Sequence, residues 1–306
     1  MPNTLAHVGL QGILCRAAIP TADFKWVCLG CVIPDVPWML QRIVSALGLL
    51  DPYAFRLHAI VESSLLACLV LSLSLALLSS EPRRTFLLLG FNSAAHLLLD
   101  GLEIKWANGV HFFAPFSWRL WNLGLWWSDS GVILGATLLG VLLFIYSWRQ
   151  QTLHPVELSV GLQAKTFVAL CLLAVYSAAP ALLVRGPEEA DNHFVRTLRL
   201  RDQRPGKPVE FDRRPVIQRG DVAVIETLTG EELILQGVGG STNGVFSVRG
   251  QFIGEDTVKV LQIHEHWPWV RNVSSIVGLV WIGLLWLKSL INSIRLRLHH
   301  RASGSE

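Results

Sequence analysis

The chain has 306 residues, 51% of them hydrophobic and only 16% charged, with a mean hydropathy of +0.43. Soluble domains carry about a quarter charged residues. The composition therefore excludes an ordinary soluble domain and points to a mainly α, polytopic helical membrane protein with one soluble insertion. A net charge of +3 is too small and too dispersed for a nucleic-acid partner.

In chain order, residues 5–19 are apolar but too short to span a bilayer, which takes about 20 residues. With 26–33 they predict a helical hairpin turning at Pro20, with His7 and Asp35 at the same end. The N-terminus has no basic run before this stretch, so no cleavable signal peptide is expected. Residues 36–50 read as an interfacial helix with Trp38 and Arg42 at its start. Spans are expected at 55–79, 85–102, 131–147, 166–184 and 273–291. Gly131, Gly135 and Gly140 suit close helix packing, and Pro180 is expected to kink or end its span. An aromatic-rich loop, 103–130, follows the second span, and a polar loop runs to Lys165. Residues 185–270 are charged and turn-rich, with β-prone runs at 193–200, 208–211, 222–228, 231–236, 244–249 and 256–263. They predict a small antiparallel β-domain inserted before the last transmembrane helix. Three segments result: a helical membrane core (1–184), an extracytoplasmic β-domain (185–270), and a final helix with a basic tail (271–306).

The tail carries Arg295, Arg297, His299, His300 and Arg301 and is expected in the cytoplasm by the distribution of basic residues. The β-domain and loop 103–130 are then outside, as are His58 and Glu62 at the opening of the first span. His7, Asp35, His58, Glu62, His96, Asp100 and His111 all fall near that one face. The five cysteines lie in apolar segments, so no disulfide framework is expected, and the Cys28/Cys31 pair reads as structural thiols.

His96 and Asp100, like His58 and Glu62, are four residues apart, which on a helix aligns them on one face. A carboxylate in an apolar helix is costly unless paired or metal-bound. With His7 and Asp35 these pairs supply enough donors for one or two divalent ions, zinc being the expected one. A metal-bound water with a pKa near 7 can attack a phosphoester or ester. No glycine-rich phosphate loop and no serine-nucleophile motif competes with that chemistry. Each residue has a plainer reading. His96/Asp100 could simply fasten two helices, and His58/Glu62 could snorkel at the interface. Asp35 could cap a helix, His7 could be a tethered terminal residue, and His111 could pack among aromatics. His264 and His266 could bind metal but read first as a solvated strand end.

Taken in order, His7, Leu29-Gly30 with Pro34-Asp35, His58, and Gly90 to Asp100 with Gly109 and Pro115 resemble the inner-membrane-associated metal-dependent hydrolases, a family once described as LexA-binding. The likeness covers roughly residues 5–147. That family is reminiscent of zinc-dependent phospholipase C, which implies phosphoester hydrolysis at a zinc cluster. At the second conserved span the family reads His-Arg-Gly-x-Thr-His-Ser. Here the segment is His58-Ala59-Ile60-Val61-Glu62-Ser63-Ser64, with Ser63 in place of the second histidine. The expected metal ligands are His7, Asp35, His58, His96 and Asp100, and the expected catalytic groups are Asp35 and Glu62, the latter as ligand or general base. The expected partners are the lipid bilayer and a lipid or envelope substrate at the bacterial inner membrane. The alternative is a non-catalytic membrane scaffold whose β-domain binds an envelope partner.

Overall fold

The computed structural model describes residues 3–149, 164–239 and 242–303. The polar connection expected before Lys165 lies almost wholly outside them, and so do the side chains of the tail from 296 on, His299 and His300 included.

The N-terminal hairpin forms as α1 (Thr4–Ala18) and α2 (Phe24–Val32). Asn3 caps α1 by accepting from Ala6 N, and Asp23 caps α2 by accepting from Lys25 N. Pro34 has no N–H to continue α2, so the chain makes one 3-10 turn at Ile33–Asp35 before α3 (Val36–Ala46). Then come α4 (Pro52–Glu62), α5 (Leu65–Leu77), α6 (Pro82–Leu102), α7 (Gly131–Arg149) and α8 (Ala164–Leu183). Pro180 sits inside α8 rather than ending it. Among the described residues, five helical segments are long and apolar enough to cross a membrane: 24–46, 82–102, 131–149, 164–189 and 268–295.

The span expected at 55–79 is different. α4 and α5 meet at a 69° bend. Ser63 and Ser64 break the helix there, their hydroxyls bonding back to Ile60 O and Val61 O. Tyr53, Leu57 and Ile60 of α4 join one apolar cluster with the interior of the β-domain, so α4 is a platform under that domain and not the start of a straight span.

α1, α2 and α6 form the centre of the helical part, with α7 and the last helix against α1, α5 against α6, and α8 outside α5 and α4. The centre packs closely because glycines meet backbone there. A Cβ at Gly9 would lie 2.6 Å from Gly140 N, and one at Gly140 would collide with the Leu5 carbonyl. Gly131 and Gly135, expected in the same role, face open space.

Residues 185–200 are helical: α9 (Arg185–Glu189), a 3-10 turn at Asn192–Phe194 and α10 (Val195–Arg199). The strand expected at 193–200 does not form, because Asp191, His193 and Phe194 take left-handed backbone angles that cannot extend into a strand. The strands are β1 (Pro208–Arg219), β2 (Val222–Glu226), β3 (Glu232–Gln236), β4 (Gly244–Phe252) and β5 (Thr257–His266). They close into a barrel in the order β1-β2-β3-β5-β4. The domain is not wholly antiparallel, since β3 and β5 pair in parallel. This is a small five-stranded Greek-key barrel, and Val209, Phe211, Ile225, Leu233, Val248 and Val258 fill its interior. At Gly250 the β4–β5 register shifts, and a Cβ would lie 2.6 Å from Lys259 O, so only glycine fits this bulge. The last helix, α11 (Pro268–Ser303), leaves β5 directly.

The barrel sits on loop 103–130. Glu210 accepts from Ala107 N at 2.6 Å, and Arg213 donates to Ser128 Oγ at 3.0 Å. Loop, α4 and barrel thus form one cap over one end of the bundle.

Candidate metal centre

Under that cap, three chain segments bring four donor groups together. Pro34 leaves Gly30 O without its helical partner, and Ser93 Oγ donates to it at 3.3 Å. In the same turn Cys31 O accepts from His96 Nδ1 at 2.6 Å. That bond puts a proton on Nδ1, so in the neutral ring the lone pair is on Nε2, which points away from α2. The His7 ring stacks on the His96 ring, with centroids 3.7 Å apart and planes within 2°. Gln11, one turn along α1, places its amide nitrogen 3.1 Å from His7 Nδ1, and its Oε1 accepts from Cys31 Sγ at 3.0 Å. A half-turn of that amide exchanges N and O without changing shape. In the half-turned form Oε1 accepts Nδ1–H and leaves the His7 Nε2 lone pair facing the same centre.

Two carboxylates face these lone pairs. His7 Nε2 lies 3.4 Å from Asp100 Oδ1, and His96 Nε2 lies 3.6 Å from Asp35 Oδ1 and 3.8 Å from Asp100 Oδ2. All three exceed the 2.7–2.9 Å of a charge-assisted hydrogen bond. They fit donors sharing an ion: two ligands at ~2.0–2.2 Å in tetrahedral geometry stand about 3.3–3.6 Å apart. His7 Nε2, His96 Nε2, Asp35 Oδ1 and Asp100 Oδ1 are all buried and make no hydrogen bond. Such atoms are rare in native interiors and ask for an ion or a water. His7, His96 and Asp100 form one of two groups, among the described residues, whose ligand atoms all lie within 4.8 Å of one another.

Asp35 sits at the N-cap position of α3 yet makes no side-chain capping bond; its carboxylate turns to His96 instead. Lys105, buried in the cap loop, lies 3.0 Å from Asp100 Oδ2 and 3.6 Å from Glu103. It engages the outer oxygen of Asp100 and leaves Oδ1 to the centre.

His58 and Glu62 are not in either group. His58 is half-buried on α4, beside Phe55 at 6.1 Å between rings, because that helix spends its buried face on the barrel. Ser63 does reach the area: it lines a small cavity with Asp100, Asn108 and His111. His111 takes its packing role. Its Nε2 meets Asn192 Nδ2 at 2.9 Å, Asn192 also donates to Trp118 O, and burial pushes the imidazole down to about 4. His264 and His266 are not a solvated strand end. His266 is buried, and Trp127 stacks on His264 at 3.8 Å between rings.

Sequence reasoning passed over Gln11 and Lys105. Gln11 carried the signal that marked Asp100, a polar residue four positions from a histidine in an apolar helix. Lys105 carried none. It also passed over a cavity of about 330 Å³ between α1, α3 and α11, which Asp35, Arg42 and Arg271 help to line.

Compared with known proteins, the chain matches no family model, no curated protein and no solved structure.

Proposed function

We propose that this chain is a multi-pass membrane protein whose His7, Asp35, His96 and Asp100 hold a divalent metal ion for hydrolysis of a phosphoester. One observation carries the reading: ligand atoms of His7, His96 and Asp100 lie within 4.8 Å of one another, Asp35 Oδ1 lies 3.6 Å from His96 Nε2, and each of the four residues holds a buried ligand atom without a hydrogen-bond partner. Bound there, a metal supplies an activated water at neutral pH. The residues do the rest. Gln11 and the Cys31 carbonyl orient the two imidazoles, Lys105 holds Asp100 in place, and the cap excludes bulk water. Asp35, on the rim of the 330 Å³ cavity, is placed to take a proton from the attacking water. Arg42 and Arg271 at that cavity suit an anionic substrate such as a lipid phosphate.

The exposed faces of the long helices favour insertion in a bilayer. Phe167, Leu170 and Leu182 of α8 and Leu142 of α7 are open to the surroundings, an apolar area a soluble monomer rarely shows. The basic residues of the tail favour an orientation with the cap outside, and the bacterial inner membrane is the location that the resemblance implies. The test is hydrolysis of a phosphoester panel by purified protein with and without chelator. Activity that chelator abolishes, zinc restores and His96→Ala lacks supports the reading. Activity indifferent to chelator overturns it.

A second reading has its own observation. Lys105 already puts a positive charge on Asp100, and Ser63 stands where the resembled family has a histidine. A scaffold whose buried charges only fix the cap on the bundle would look the same at these two positions.

A further inference from the structure

The second group of converging ligand atoms lies at the barrel end of a different cavity, of about 650 Å³, between β5, loop 103–130 and the starts of α7 and α11. His264 and His266 are two apart on β5, so both side chains leave the same face of the strand. Asp129, just before α7, meets them: Oδ1 lies 3.6 Å from His264 Nε2 and Oδ2 lies 3.3 Å from His266 Nδ1.

Ser247 Oγ accepts from Arg213 N at 3.2 Å and lies 2.8 Å from His266 Nε2 and 3.2 Å from Asp212 Oδ1. Its single hydrogen serves either His266 or Asp212. Given to His266, it leaves Nδ1–H on Asp129 Oδ2 at 3.3 Å, a long hydrogen bond. Given to Asp212, it leaves His266 Nε2 as the donor and a lone pair on Nδ1 that can bind a cation. His264 Nε2 is buried without a hydrogen-bond partner, and the ligand atoms of Asp129, His264 and His266 all lie within 4.8 Å of one another. The Asp129–His266–Ser247 sequence has the order of a nucleophilic triad, but Ser247 is fully buried, so it cannot reach a substrate.

We infer that His264 Nε2, His266 Nδ1 and Asp129 form a second divalent-metal site, of the zinc type, with a fourth position open to the 650 Å³ cavity. Three protein ligands and one open position are the coordination of a site that presents water or takes a ligand. The ion also ties β5 of the barrel to the loop that leads into α7.

The test counts zinc bound by the purified full-length protein after equilibrium dialysis. In a His96→Ala/Asp100→Asn background, which silences the other centre, one zinc per chain is expected. Adding His264→Gln or Asp129→Asn should weaken it at least tenfold. His264→Gln also gives up the stack on Trp127, so Asp129→Asn, which leaves both rings in place, controls for packing. As a second readout, cobalt binding should quench the fluorescence of Trp127, and Trp127→Phe should remove that component. A wild type that holds a single ion, lost with His264→Gln and kept with His96→Ala, supports this site and refutes the first. No zinc in the His96→Ala/Asp100→Asn protein, or affinity and quenching untouched by His264→Gln and Asp129→Asn, overturns the inference.

Discussion

Lys105→Met separates a metal centre from a structural ion pair. The methionine keeps most of the buried stem and removes the charge 3.0 Å from Asp100 Oδ2. Without metal, Asp100 then stays buried with its cationic partner gone, a loss of about 3–5 kcal/mol. An ion on Oδ1 replaces that charge. A ligand that binds only the folded state adds about 2.7 kcal/mol at 100 times its dissociation constant, so zinc should recover half or more of the loss. The substitution also removes repulsion on the ion. A single and a double charge roughly 5 Å apart at an effective dielectric near 20 repel by about 7 kcal/mol. A fifth of that is tenfold in affinity. Thermal unfolding in detergent, with chelator and with zinc, reads the stability; competition with a chromophoric chelator reads the affinity. The expected result is a variant less stable than wild type in chelator, largely rescued by zinc, and binding zinc at least tenfold more tightly. Destabilisation that zinc does not relieve, with no gain in affinity, would show that Lys105 and Asp100 are a structural pair.

Gln11→Leu removes the partner of His7 Nδ1 and should weaken zinc 10–100-fold with little change in the far-ultraviolet circular dichroism; unchanged affinity would remove Gln11 from the centre. Gly140→Ala drives a methyl into the Leu5 carbonyl and should destabilise by about 1–3 kcal/mol while loosening the helix that carries His7. Gly135→Ala, in open space on the same helix, should cost nothing, and equal melting temperatures for the two variants would contradict the packing. His111 titrates at about 4 in the fold because of burial, against about 6.5 when unfolded. The fold thus favours the neutral ring. Its contribution is complete above pH 6.5 and is lost as pH falls toward 4, about 3 kcal/mol in all. His193, held low by burial and then by Arg56, works in the same direction. Tryptophan emission against pH should show the cap loosening across that window, and His111→Gln should flatten the transition.

The helical pair His96/Asp100 was legible because its spacing and its apolar surroundings are both local. His7 and Asp35 were legible only through the hairpin, whose turn at Pro20 returns both to one end. His58/Glu62 has the same spacing as His96/Asp100, yet α4 turns its buried face to the barrel, and spacing cannot say which partner a helix face will meet. The 69° bend at Ser63–Ser64 was hidden for a related reason: two serines in an apolar run are ordinary in a straight span, and only their bonds to Ile60 O and Val61 O end the helix. Five of the six β-prone runs set between turn signals are strands, but the parallel β3–β5 pairing belongs to the closure of the barrel and leaves no mark in either strand. Asp129 was invisible as a partner of His264 and His266, because more than a hundred residues separate them and only the seating of the barrel on the loop brings them together.

Elemental analysis of the purified protein tests the metal centre most directly. Wild type saturated with zinc and freed of excess should retain the ion bound by His7, Asp35, His96 and Asp100. His96→Ala/Asp100→Asn should retain one fewer per chain while keeping its helical content. Equal zinc in the two proteins, or none in either, would contradict it.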